Sequence, residues 1–323
     1  MKNCLYCYSK LENDQIDFHP ACSRKIFGQP EQPLLPYTED QMLELGEQVI
    51  KSQVAVTGVQ PKLSLHIEKT GKPKEGQKTP QRFTIVGLWG AYILKPPTKQ
   101  YPQLPELEDL TMHLAALAGM ETVPHSLIRM QSGNLAYITK RIDRHKKGKL
   151  QMEDMCQLTE RLTEDKYKGS YEQIGKAILK YAANPVLDLV NFLEQVLFSF
   201  LTGNADMHLK NFSLVEQPGT GFVLAPAYDM VASALVVPGD NEELALNFNG
   251  KKRKLQRKDF DTVFSSFKVL EEKTIQNIYS KFSNAIKSWL AFIPQSFIHQ
   301  SLQEQYIRII HQRAGALGLS VID

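Results

Sequence analysis

The sequence predicts an α+β protein with two lobes, a strand-rich half followed by a helix-rich half. Between residues 53 and 141, short apolar and β-branched segments alternate with glycine, proline and polar turns, which is typical of strands. From about residue 150, apolar residues recur instead at helical spacing. The chain has 323 residues, of which 42% are hydrophobic and 23% charged, so each half can bury a core of its own.

Composition excludes some classes of protein and leaves others open. A net charge of +3 does not by itself indicate a nucleic-acid-binding protein. No apolar run reaches the ~18 residues that a membrane-spanning helix needs, and the first residues, MKNCLYCYSK, lack the apolar core of a signal peptide. We therefore expect a cytoplasmic protein with no membrane partner.

Residues 1–30 form the first predicted domain, a small zinc knuckle. Three of the four cysteines and one histidine follow the pattern C-x2-C…H-x2-C, at Cys4, Cys7, His19 and Cys22. Two short-spaced pairs of soft ligands separated by a loop suit tetrahedral Zn²⁺, and four protein ligands indicate a structural site. A disulfide is the weaker alternative in a reducing compartment, and chance residues on a small turn are another. Cys156 stands alone and is predicted to be a core thiol.

Residues 31–142 form the predicted N-lobe. A proline-rich linker at 29–36 precedes a helix that Thr38 opens, with Gln41 at capping-box spacing, and that runs to about Ile50. Strands are predicted at QVAVTG, PKLSLHIEK, RFTIV, AYILKP, HSLIRM and LAYITKR. The polar tract 69–81 is predicted to be a hairpin tip, and leucines at helical spacing predict a helix near 105–118.

Residues 143–323 form the predicted C-lobe. Helices are expected at 151–161, 170–181 and 186–202, followed by two short strands, FSLV and FVLAP. The alternating stretch ELALNFNGKKRKL contains Asn249-Gly250, a strong hairpin signal. The last 65 residues have a helical pattern.

The motif that carries the chemistry is FLTGNADMHLKNFSL, residues 200–214. Asp206 and Asn211 have the spacing D-x4-N, and Asp229 follows in PAYDMV after one strand pair. Phosphoryl transfer uses this arrangement, because one aspartate accepts the proton of the acceptor hydroxyl while an asparagine and a later aspartate hold Mg²⁺ on the phosphates. Oxygen ligands of this kind suit Mg²⁺ better than zinc.

The remaining parts of a kinase site occur upstream in the expected order. Lys95 ends an apolar strand and could pair with nucleotide phosphates, and Glu108 in the next helix could hold it. Gly58, in the turn TGVQPK, permits close approach of the backbone to phosphate oxygens. Each residue alone is more often a surface or turn residue. Taken in order, they indicate a two-lobed kinase that uses ATP and Mg²⁺.

Several segments together resemble the HipA-like serine/threonine kinases, the toxins of bacterial toxin–antitoxin pairs. They are GVQPKLSL, YILKP, EDMCQ, GNADMHLKNFSL and LAPAYDMV, and the resemblance runs from about residue 52 to the C-terminus. It implies a protein-kinase-like, HipA-type fold, with Asp206 as catalytic base, Asn211 and Asp229 as Mg²⁺ ligands and Lys95 as the nucleotide lysine. The other implied nucleotide-binding residues are Thr57, Gly58, Val59, Gln60, Pro61 and Lys62 of the phosphate loop, Lys140, Arg141 and Ile142 at the hinge, and His208, Lys210 and Tyr228. Glu108, the predicted partner of Lys95, belongs to the same set.

The resemblance also implies partners. Family members phosphorylate aminoacyl-tRNA synthetases, which slows translation, and they pair with a helix-turn-helix antitoxin. Only about 50 residues precede the phosphate loop here, so the chain is similar in size to the short HipT-type members, in which a separate small protein supplies the missing N-terminal subdomain. The basic run KKRKLQRK at 251–258 is either a solvated hairpin face or a surface for an acidic target or, through the antitoxin complex, DNA.

Self-regulation by phosphorylation of the phosphate loop is a further family property that this sequence alters. The position three before Gly58 is Ala55, which cannot be phosphorylated. Thr57 is the expected acceptor, with Ser52 as second choice. A phosphate on Thr57 would regulate the kinase because it brings roughly two negative charges into a phosphate-binding site.

Two other functions fit part of the same pattern. A small-molecule phosphotransferase of the aminoglycoside-kinase type shares D-x4-N and the later aspartate, but would need an acidic substrate pocket in the helical lobe. A non-catalytic, nucleotide-binding co-repressor would use the knuckle and the basic run as docking surfaces. The presence of Lys95, Asp206, Asn211 and Asp229 together argues against the second of these.

Overall fold

A computed structural model describes most of the chain and divides it into two units. The described residues are 2–12, 15–42, 44–45, 62–69, 81–86, 90–145, 148–237, 239 and 241–319. The first unit comprises Met1–Asp109 and Val123–Ile142, and the second comprises Leu110–Thr122 and Asp143–Asp323.

An antiparallel sheet of five strands forms the centre of the first unit. The strands are β1 (Leu63–Lys69), β2 (Gln81–Ile85), β3 (Tyr92–Lys95), β4 (His125–Arg129) and β5 (Leu135–Lys140), in the order β2-β1-β3-β5-β4. Alternate residues face the core, so Leu63, Leu65 and Leu94 are fully or nearly fully buried. The register places Leu94 of β3 opposite Ile138 of β5.

The N-terminal knuckle, residues 2–28 with the exception of 13 and 14, packs against this sheet. Its helix α1 (Pro20–Phe27) begins with proline in the first turn and ends at Gly28, whose φ of 77° lets the backbone amide bond to the carbonyl of Arg24. Phe27 contacts Phe83 and Tyr92 at ring-centroid distances of 5.8 and 6.3 Å. The aromatic contacts therefore join the knuckle to the strand that ends in Lys95.

The helix predicted to begin at Thr38 is present where the structure describes it. The Thr38 amide donates to Gln41 Oε1 at 3.0 Å, and the Gln41 amide donates to Thr38 Oγ1 at 3.4 Å, which confirms the capping box. Residues 39–42 and 44–45 are helical. The rest of that predicted helix, the strand QVAVTG and most of the tract 69–81 lie outside the described residues.

Helix α2 (Leu104–Leu117) contains the boundary between the units, which falls after Asp109. Its later half belongs to the second unit, where Leu114 and the helices that follow form the core. Trp289 is fully buried there and donates to the carbonyl of Leu114 at 2.8 Å. Thr111 and Tyr306 exchange a hydrogen bond of 3.0 Å between their hydroxyls.

The second unit is mainly helical. Its helices are α3 (Met155–Leu158), α4 (Tyr171–Tyr181), α5 (Pro185–Leu201), α6 (Arg257–Ser266), α7 (Glu272–Phe292) and α8 (Gln300–Ala316). Its strands are the pair β6 (Arg144–His145) and β7 (Gly148–Lys149), and a three-stranded sheet of β8 (Met152–Asp154), β9 (Ser213–Gln217) and β10 (Gly221–Leu224). Cys156 is 2% exposed, as predicted for a core thiol.

Two sequence predictions in this unit were wrong in detail. The helix expected at 151–161 is a short strand followed by one helical turn, because β8 pairs with β9 and Asp154 then caps the turn through the amide of Gln157. The alternating stretch 243–255 forms the Asn249-Gly250 turn, with φ of 50° and 74°, but only the single bridge Phe248–Lys251 beside it. Its apolar residues pack on helices instead, as Phe248 does on Phe260 at 4.6 Å.

No helix among the described residues combines the length and apolar character needed to cross a membrane.

Candidate active site

The motif Asp206–Asn211 occupies the connection between α5 and β9. The chain leaves α5 through Gly203, whose φ of 67° is in the left-handed region, and then forms a single 3-10 turn over Leu209–Asn211. Within that turn the His208 amide donates to Asn211 Oδ1 at 3.2 Å and the Asn211 amide donates to the His208 carbonyl at 2.9 Å. The turn therefore fixes the Asn211 side chain relative to the backbone of Asp206.

Asp206 is exposed, and a tyrosine side chain contacts its carboxylate. Tyr167 Oη donates to Asp206 Oδ1 at 2.6 Å. The Asp206 amide donates to Asn204 Oδ1 at 3.2 Å, and the Ala205 amide donates to Ser233 Oγ at 2.9 Å. The backbone before the carboxylate is thus fixed, while the carboxylate itself is open to solvent, as a group that meets a substrate hydroxyl requires.

Asn211 and Asp229 are brought together by the turn after β10. Asn211 Nδ2 lies 3.1 Å from Asp229 Oδ2, and Asn211 is 4% exposed. Hydrogen bonds thus hold the amide of Asn211 beside the carboxylate of Asp229, while Asn211 Oδ1 accepts from the His208 amide. Carboxylate and amide oxygens are the kinds of ligand that Mg²⁺ takes in proteins. Asp229 has a φ of 60°, a conformation that aspartate tolerates better than most residues.

Lys210 and Tyr228 stabilise the same loop. Lys210 Nζ forms an ion pair of 2.6 Å with Asp154 Oδ2, at the start of α3. Tyr228 Oη donates to the Lys210 carbonyl at 3.0 Å and lies 2.6 Å from Ser213 Oγ, and its burial raises the pKa of the phenol well above its usual value. His208 is 7% exposed, and its ring meets Tyr167 edge-on at 5.0 Å. The contacts of Lys210, Tyr228, His208 and Tyr167 therefore hold the motif in place.

In the first unit, Lys95 and Glu108 form a buried ion pair. Lys95 Nζ lies 2.5 Å from Glu108 Oε1, and the two residues are 5% and 2% exposed. Lys95 is the last residue of β3, and Glu108 lies in the second turn of α2. Lys95 Nζ also lies 5.4 Å from the centroid of the Tyr137 ring on β5, which adds a cation–π contact. The structure thus brings together two residues that the sequence placed in one pair.

The other predicted nucleotide residues of the first unit lie at its edges or outside the described part. Lys140 ends β5 and is exposed, and its amide donates to the Pro124 carbonyl at 2.9 Å. The Arg141 amide donates to the Ala91 carbonyl at 2.9 Å, and Ile142 is the last residue of the unit. Lys62 is exposed directly before β1. Thr57, Gly58, Val59, Gln60 and Pro61 of the phosphate loop, together with Ser52 and Ala55 before it, lie outside the described residues.

The knuckle residues predicted as metal ligands converge. The ligand atoms of Cys4, Cys7, His19 and Cys22 all lie within 4.8 Å of one another. Burial raises the pKa of the Cys7 thiol, but hydrogen bonds from the backbone and side chain of Ser9 outweigh it and lower that pKa to about 7. Burial and the neighbouring thiols raise the pKa of Cys22 to about 12.

The basic run 251–258 is partly neutralised within the second unit. Lys251 pairs with Asp259 at 2.8 Å, Lys252 with Glu242 at 3.1 Å and Arg257 with Asp261 at 3.0 Å. Arg253, Lys254 and Lys258 form no ion pair with any residue that the structure describes. Half of the six charges therefore have internal partners, which favours the solvated-face interpretation for that half.

A family model decides which group of proteins the chain belongs to. The model of the HipA-like C-terminal domain matches residues 54–290, well over half of the chain. The chain belongs to the HipA-like C-terminal domain family. The matched range contains the candidate catalytic, Mg²⁺-binding and nucleotide-binding residues, whereas the four knuckle ligands and Ser52 precede it.

Named relatives within the HipA-like group agree with this assignment. Y4dM of Sinorhizobium fredii, described provisionally as a kinase, is 31% identical over 230 residues, which are 68% of this chain and 54% of that protein. The serine/threonine-protein kinase toxin HipA of Shewanella oneidensis is 29% identical over 202 residues, which are 56% of this chain and 44% of that protein. The chain thus spans about half the length of the curated relatives that it matches.

A solved structure shows the fold. The toxin–antitoxin complex of HipA, HipB and operator DNA from Shewanella oneidensis matches with a TM-score of 0.67 at 21% identity, covering 90% of this chain and 73% of that one. This likeness confirms the predicted α+β, two-lobed, protein-kinase-like fold of the HipA type.

Sequence reasoning missed the residues that orient this HipA-like site. Tyr167, Ser233 and Asp154 each bond to the motif or its loop, and none of them was predicted as a site residue. Only Asp154 carried a signal, since Asp-x-x-Gln at 154–157 is a capping sequence.

Proposed function

We propose that the chain is an ATP-dependent protein serine/threonine kinase and the toxin of a bacterial HipA-type toxin–antitoxin system. The observation that carries the proposal is the arrangement of the second unit, where Tyr167 orients Asp206 while Asn211 and Asp229 lie 3.1 Å apart. The buried pair of Lys95 and Glu108 in the first unit supports it, because kinases hold the nucleotide lysine in this way.

Each residue has a role in the proposed reaction. Asp206 orients the hydroxyl of the acceptor side chain and accepts its proton. The hydroxyl oxygen then bonds to the γ-phosphorus as the bond between that phosphorus and the bridging oxygen of ADP breaks. Mg²⁺ bound by Asn211 and Asp229 would neutralise charge on the phosphates. Placement and electrostatics thus supply most of the rate enhancement.

Nucleotide binding is assigned to the residues that the resemblance implies. Lys95, kept in place by Glu108, would contact the phosphates together with the phosphate loop Thr57–Lys62, and Lys140–Ile142 would contact adenine. His208, Lys210 and Tyr228 complete this set. The contacts of Lys210 with Asp154 and of Tyr228 with the Lys210 carbonyl indicate that these two residues act mainly by positioning the loop.

The partners are proposed from the resemblance and from the named relatives. A helix-turn-helix antitoxin is supported by the matched structure, in which HipA is assembled with HipB and operator DNA. DNA contact would be made through that antitoxin complex, and Arg253, Lys254 and Lys258 are the residues to supply it. A separate small protein would replace the N-terminal subdomain of longer members. The proposed substrate is an aminoacyl-tRNA synthetase in the cytoplasm.

Phosphate transfer to protein tests the proposal. The purified chain and an Asp206→Asn variant are each incubated with Mg-ATP and a bacterial lysate, and phosphorylated proteins are identified by mass spectrometry. We expect the unmodified chain, and not the variant, to phosphorylate an aminoacyl-tRNA synthetase on serine or threonine. Glu304→Gln, an exposed change on α8, serves as the matched control and is expected to behave as the unmodified chain.

Intact mass of the chain itself reports self-phosphorylation. One added phosphate in the unmodified chain, mapped to Thr57 or else to Ser52, would support control through the phosphate loop. A lysate that gains no phosphoprotein would contradict the kinase-toxin proposal. Phosphate on a small molecule would then favour the small-molecule phosphotransferase, and nucleotide binding without transfer would favour a co-repressor.

A further inference from the structure

The four knuckle ligands have the spacing of a tetrahedral metal site. Bonds of about 2.3 Å to sulfur and about 2.05 Å to nitrogen place tetrahedral S and N ligands about 3.5 Å apart. His19 Nδ1 lies 3.5 Å from Cys7 Sγ and 3.8 Å from Cys22 Sγ. All four cysteines of the chain are free thiols, and Cys4 Sγ belongs to the same cluster. The four ligand atoms, all within 4.8 Å of one another, therefore lie close enough to bind one ion with little rearrangement.

The second nitrogen of His19 supports the same conclusion independently. His19 Nε2 lies 3.0 Å from the carbonyl oxygen of Lys10, which can only accept a hydrogen bond. Nε2 must therefore carry the proton, and in the neutral ring Nδ1 presents its lone pair to the sulfurs. Metal-ligating histidines are oriented by a bond of this kind from the ring nitrogen that does not bind the metal.

The turn between Cys4 and Cys7 sets the direction of the next residue, Tyr8. The Tyr8 amide donates to the Cys4 carbonyl at 2.9 Å, and the Cys4 amide donates to the Ser9 carbonyl at 2.8 Å. Tyr8 has a φ of 63°, which is unfavourable for a large side chain unless the surrounding turn holds it. A metal that ties Cys4 to Cys7 would supply that restraint.

Tyr8 reaches from this turn to α2. Its hydroxyl donates to Asp109 Oδ2 at 2.8 Å, and Tyr8 and Asp109 are 1% and 0% exposed. The other Asp109 oxygen accepts from His125 Nδ1 on β4 at 2.7 Å. Because a buried carboxylate without partners is costly, Tyr8 and His125 together fix where this part of α2 can lie.

Asp109 is the neighbour of Glu108, so the same contacts fix the partner of Lys95. A rigid helix sets the directions of adjacent side chains about 100° apart. A second route joins the same groups, because the His125 ring stacks on Tyr137 at 6.0 Å and Lys95 Nζ lies 5.4 Å from that ring. Both routes connect the knuckle to the ion pair within the first unit.

We propose that Cys4, Cys7, His19 and Cys22 bind one Zn²⁺ ion, and that this site positions the Lys95–Glu108 pair through Tyr8 and Asp109. Three thiolates and one imidazole select zinc among the common divalent cations, and a fourth protein ligand leaves no position for catalysis at the metal. The expected effect of the zinc site on nucleotide binding rests on the proposed function, whereas its expected effect on the position of α2 does not.

Metal content is the first test. The full-length chain, purified without added metal, is analysed by elemental mass spectrometry beside Cys22→Ser, which removes one ligand. We expect about one zinc per unmodified chain and a loss of most of it in the variant. Less than about a fifth of an equivalent in the unmodified chain, or cysteines found as disulfides, would overturn the site.

Tyr8→Phe separates positioning from metal binding. It keeps the ring and all four ligands but removes the hydrogen bond to Asp109. Tyr92→Phe is the matched control, since it removes another hydrogen bond between the sheet and the knuckle, which Tyr92 Oη donates to the Ile26 carbonyl at 3.1 Å. Hydrogen exchange of the α2 amides and the Kd of Mg-ADP are measured for both variants.

The expected results differ between the two variants. Tyr8→Phe should retain one zinc, yet exchange in the first turns of α2 should accelerate by about three- to tenfold and Mg-ADP should bind about fivefold more weakly. Tyr92→Phe should change neither by more than about twofold. Equal behaviour of the two variants would overturn the positioning role. If the unmodified protein bound no Mg-ADP, the kinase proposal would be contradicted. Zinc content and hydrogen exchange of α2 would still decide whether the knuckle binds zinc and positions α2.

Discussion

The placement of single polar side chains decides the chemistry of the candidate site. Asp206 is exposed and meets Tyr167, whereas Lys95 and Glu108 neutralise each other in the interior. A buried ion pair of this kind adds little net stability, because desolvation opposes the attraction between the charges. Its presence is better explained by the need to hold a lysine at a fixed position. Asp229, with its φ of 60°, is likewise held in a conformation that costs free energy.

Tyr167→Phe tests the orientation of Asp206. Removing the 2.6 Å hydrogen bond frees the carboxylate to rotate, so we expect kcat to fall by about three- to tenfold, with little change in the KM for ATP. Steady-state kinetics on the phosphorylated protein measures both constants. Tyr181→Phe, an exposed tyrosine of α4, is the control and should leave both unchanged. An equal rise in KM would argue against an orienting role.

Glu106, in the first turn of α2, makes stability depend on pH. Its Oε2 is buried with no hydrogen-bond partner among the described residues. Burial, with the negative charge of Asp109, raises the pKa of this carboxyl from 4.5 to about 7. The folded chain therefore holds a proton that the unfolded chain has lost between these values. Stability must fall as pH rises through that window, because the unfolded state binds fewer protons.

Glu106→Gln should remove this dependence. We expect the substitution to raise the free energy of unfolding by about 1–3 kcal/mol at pH 8 and by much less at pH 5, a difference that urea denaturation at the two pH values measures. Glu164→Gln, at an exposed site, should shift both values equally. A Glu106→Gln effect that is the same at both pH values would show that the carboxyl is not buried as a neutral acid.

Turns and caps determine how the elements of the second unit connect. The Asn249-Gly250 turn was predicted correctly, and the structure adds why it is held: Asn249 Nδ2 donates to Asp259 Oδ1 at 2.9 Å and its amide to Glu172 Oε1 at 2.8 Å. The expected strands beside it are absent, because Leu244, Leu246 and Phe248 are buried in the core of this unit. Alternating apolar and polar residues indicate that one face of a segment is buried, but here that face is buried without the segment forming a sheet.

Gly250→Ala isolates the backbone cost of this turn. The added methyl group would contact nothing within 4 Å, so the φ of 74° alone should lower the free energy of unfolding, by about 1 kcal/mol. Gly315→Ala is the opposite control, since Gly315 lies in α8 with equal space and should gain about 0.5–1 kcal/mol. Thermal and urea denaturation of both variants measures the differences. A neutral Gly250→Ala would mean that the turn relaxes.

Each unit of the molecule has its own core. Aromatic contacts of Phe27, Phe83 and Tyr92 join the knuckle to the sheet in the first unit. In the second unit, Phe198 and Phe282 pack on the buried Trp289 at 5.5 and 6.0 Å. The domain division predicted at residues 1–30, 31–142 and 143–323 stays a prediction, and so do the roles of the candidate residues.

A bound nucleotide should stabilise the folded chain. At a concentration 100 times its Kd, a non-hydrolysable Mg-ATP analogue should add about 2.7 kcal/mol to the free energy of unfolding, which raises Tm by several degrees. Differential scanning fluorimetry with and without Mg²⁺ measures the shift. Lys95→Met should lose most of it, and Asp229→Asn should lose the part that depends on Mg²⁺. A shift that survives both substitutions would indicate binding elsewhere.

The fold class, the order of the chemical motifs and most of the helices could be predicted from the sequence. These depend on local spacing, such as D-x4-N, the cysteine pattern or the apolar repeat of residues 186–202, and local spacing is present in the chain before it folds. It also predicted the capping box at Thr38 and the Asn249-Gly250 turn, where the backbone requirements are those of a few residues.

Contacts between side chains that are distant in the sequence became known only from the folded chain. Tyr8 and Asp109 are separated by 101 residues, Tyr167 and Asp206 by 39, and no local pattern predicts either pair. The same holds for residues 152–154, which became a strand because β9 offered hydrogen-bond partners. Pairings of this kind depend on burial and satisfied polar groups across the folded chain, and these are properties of the whole molecule.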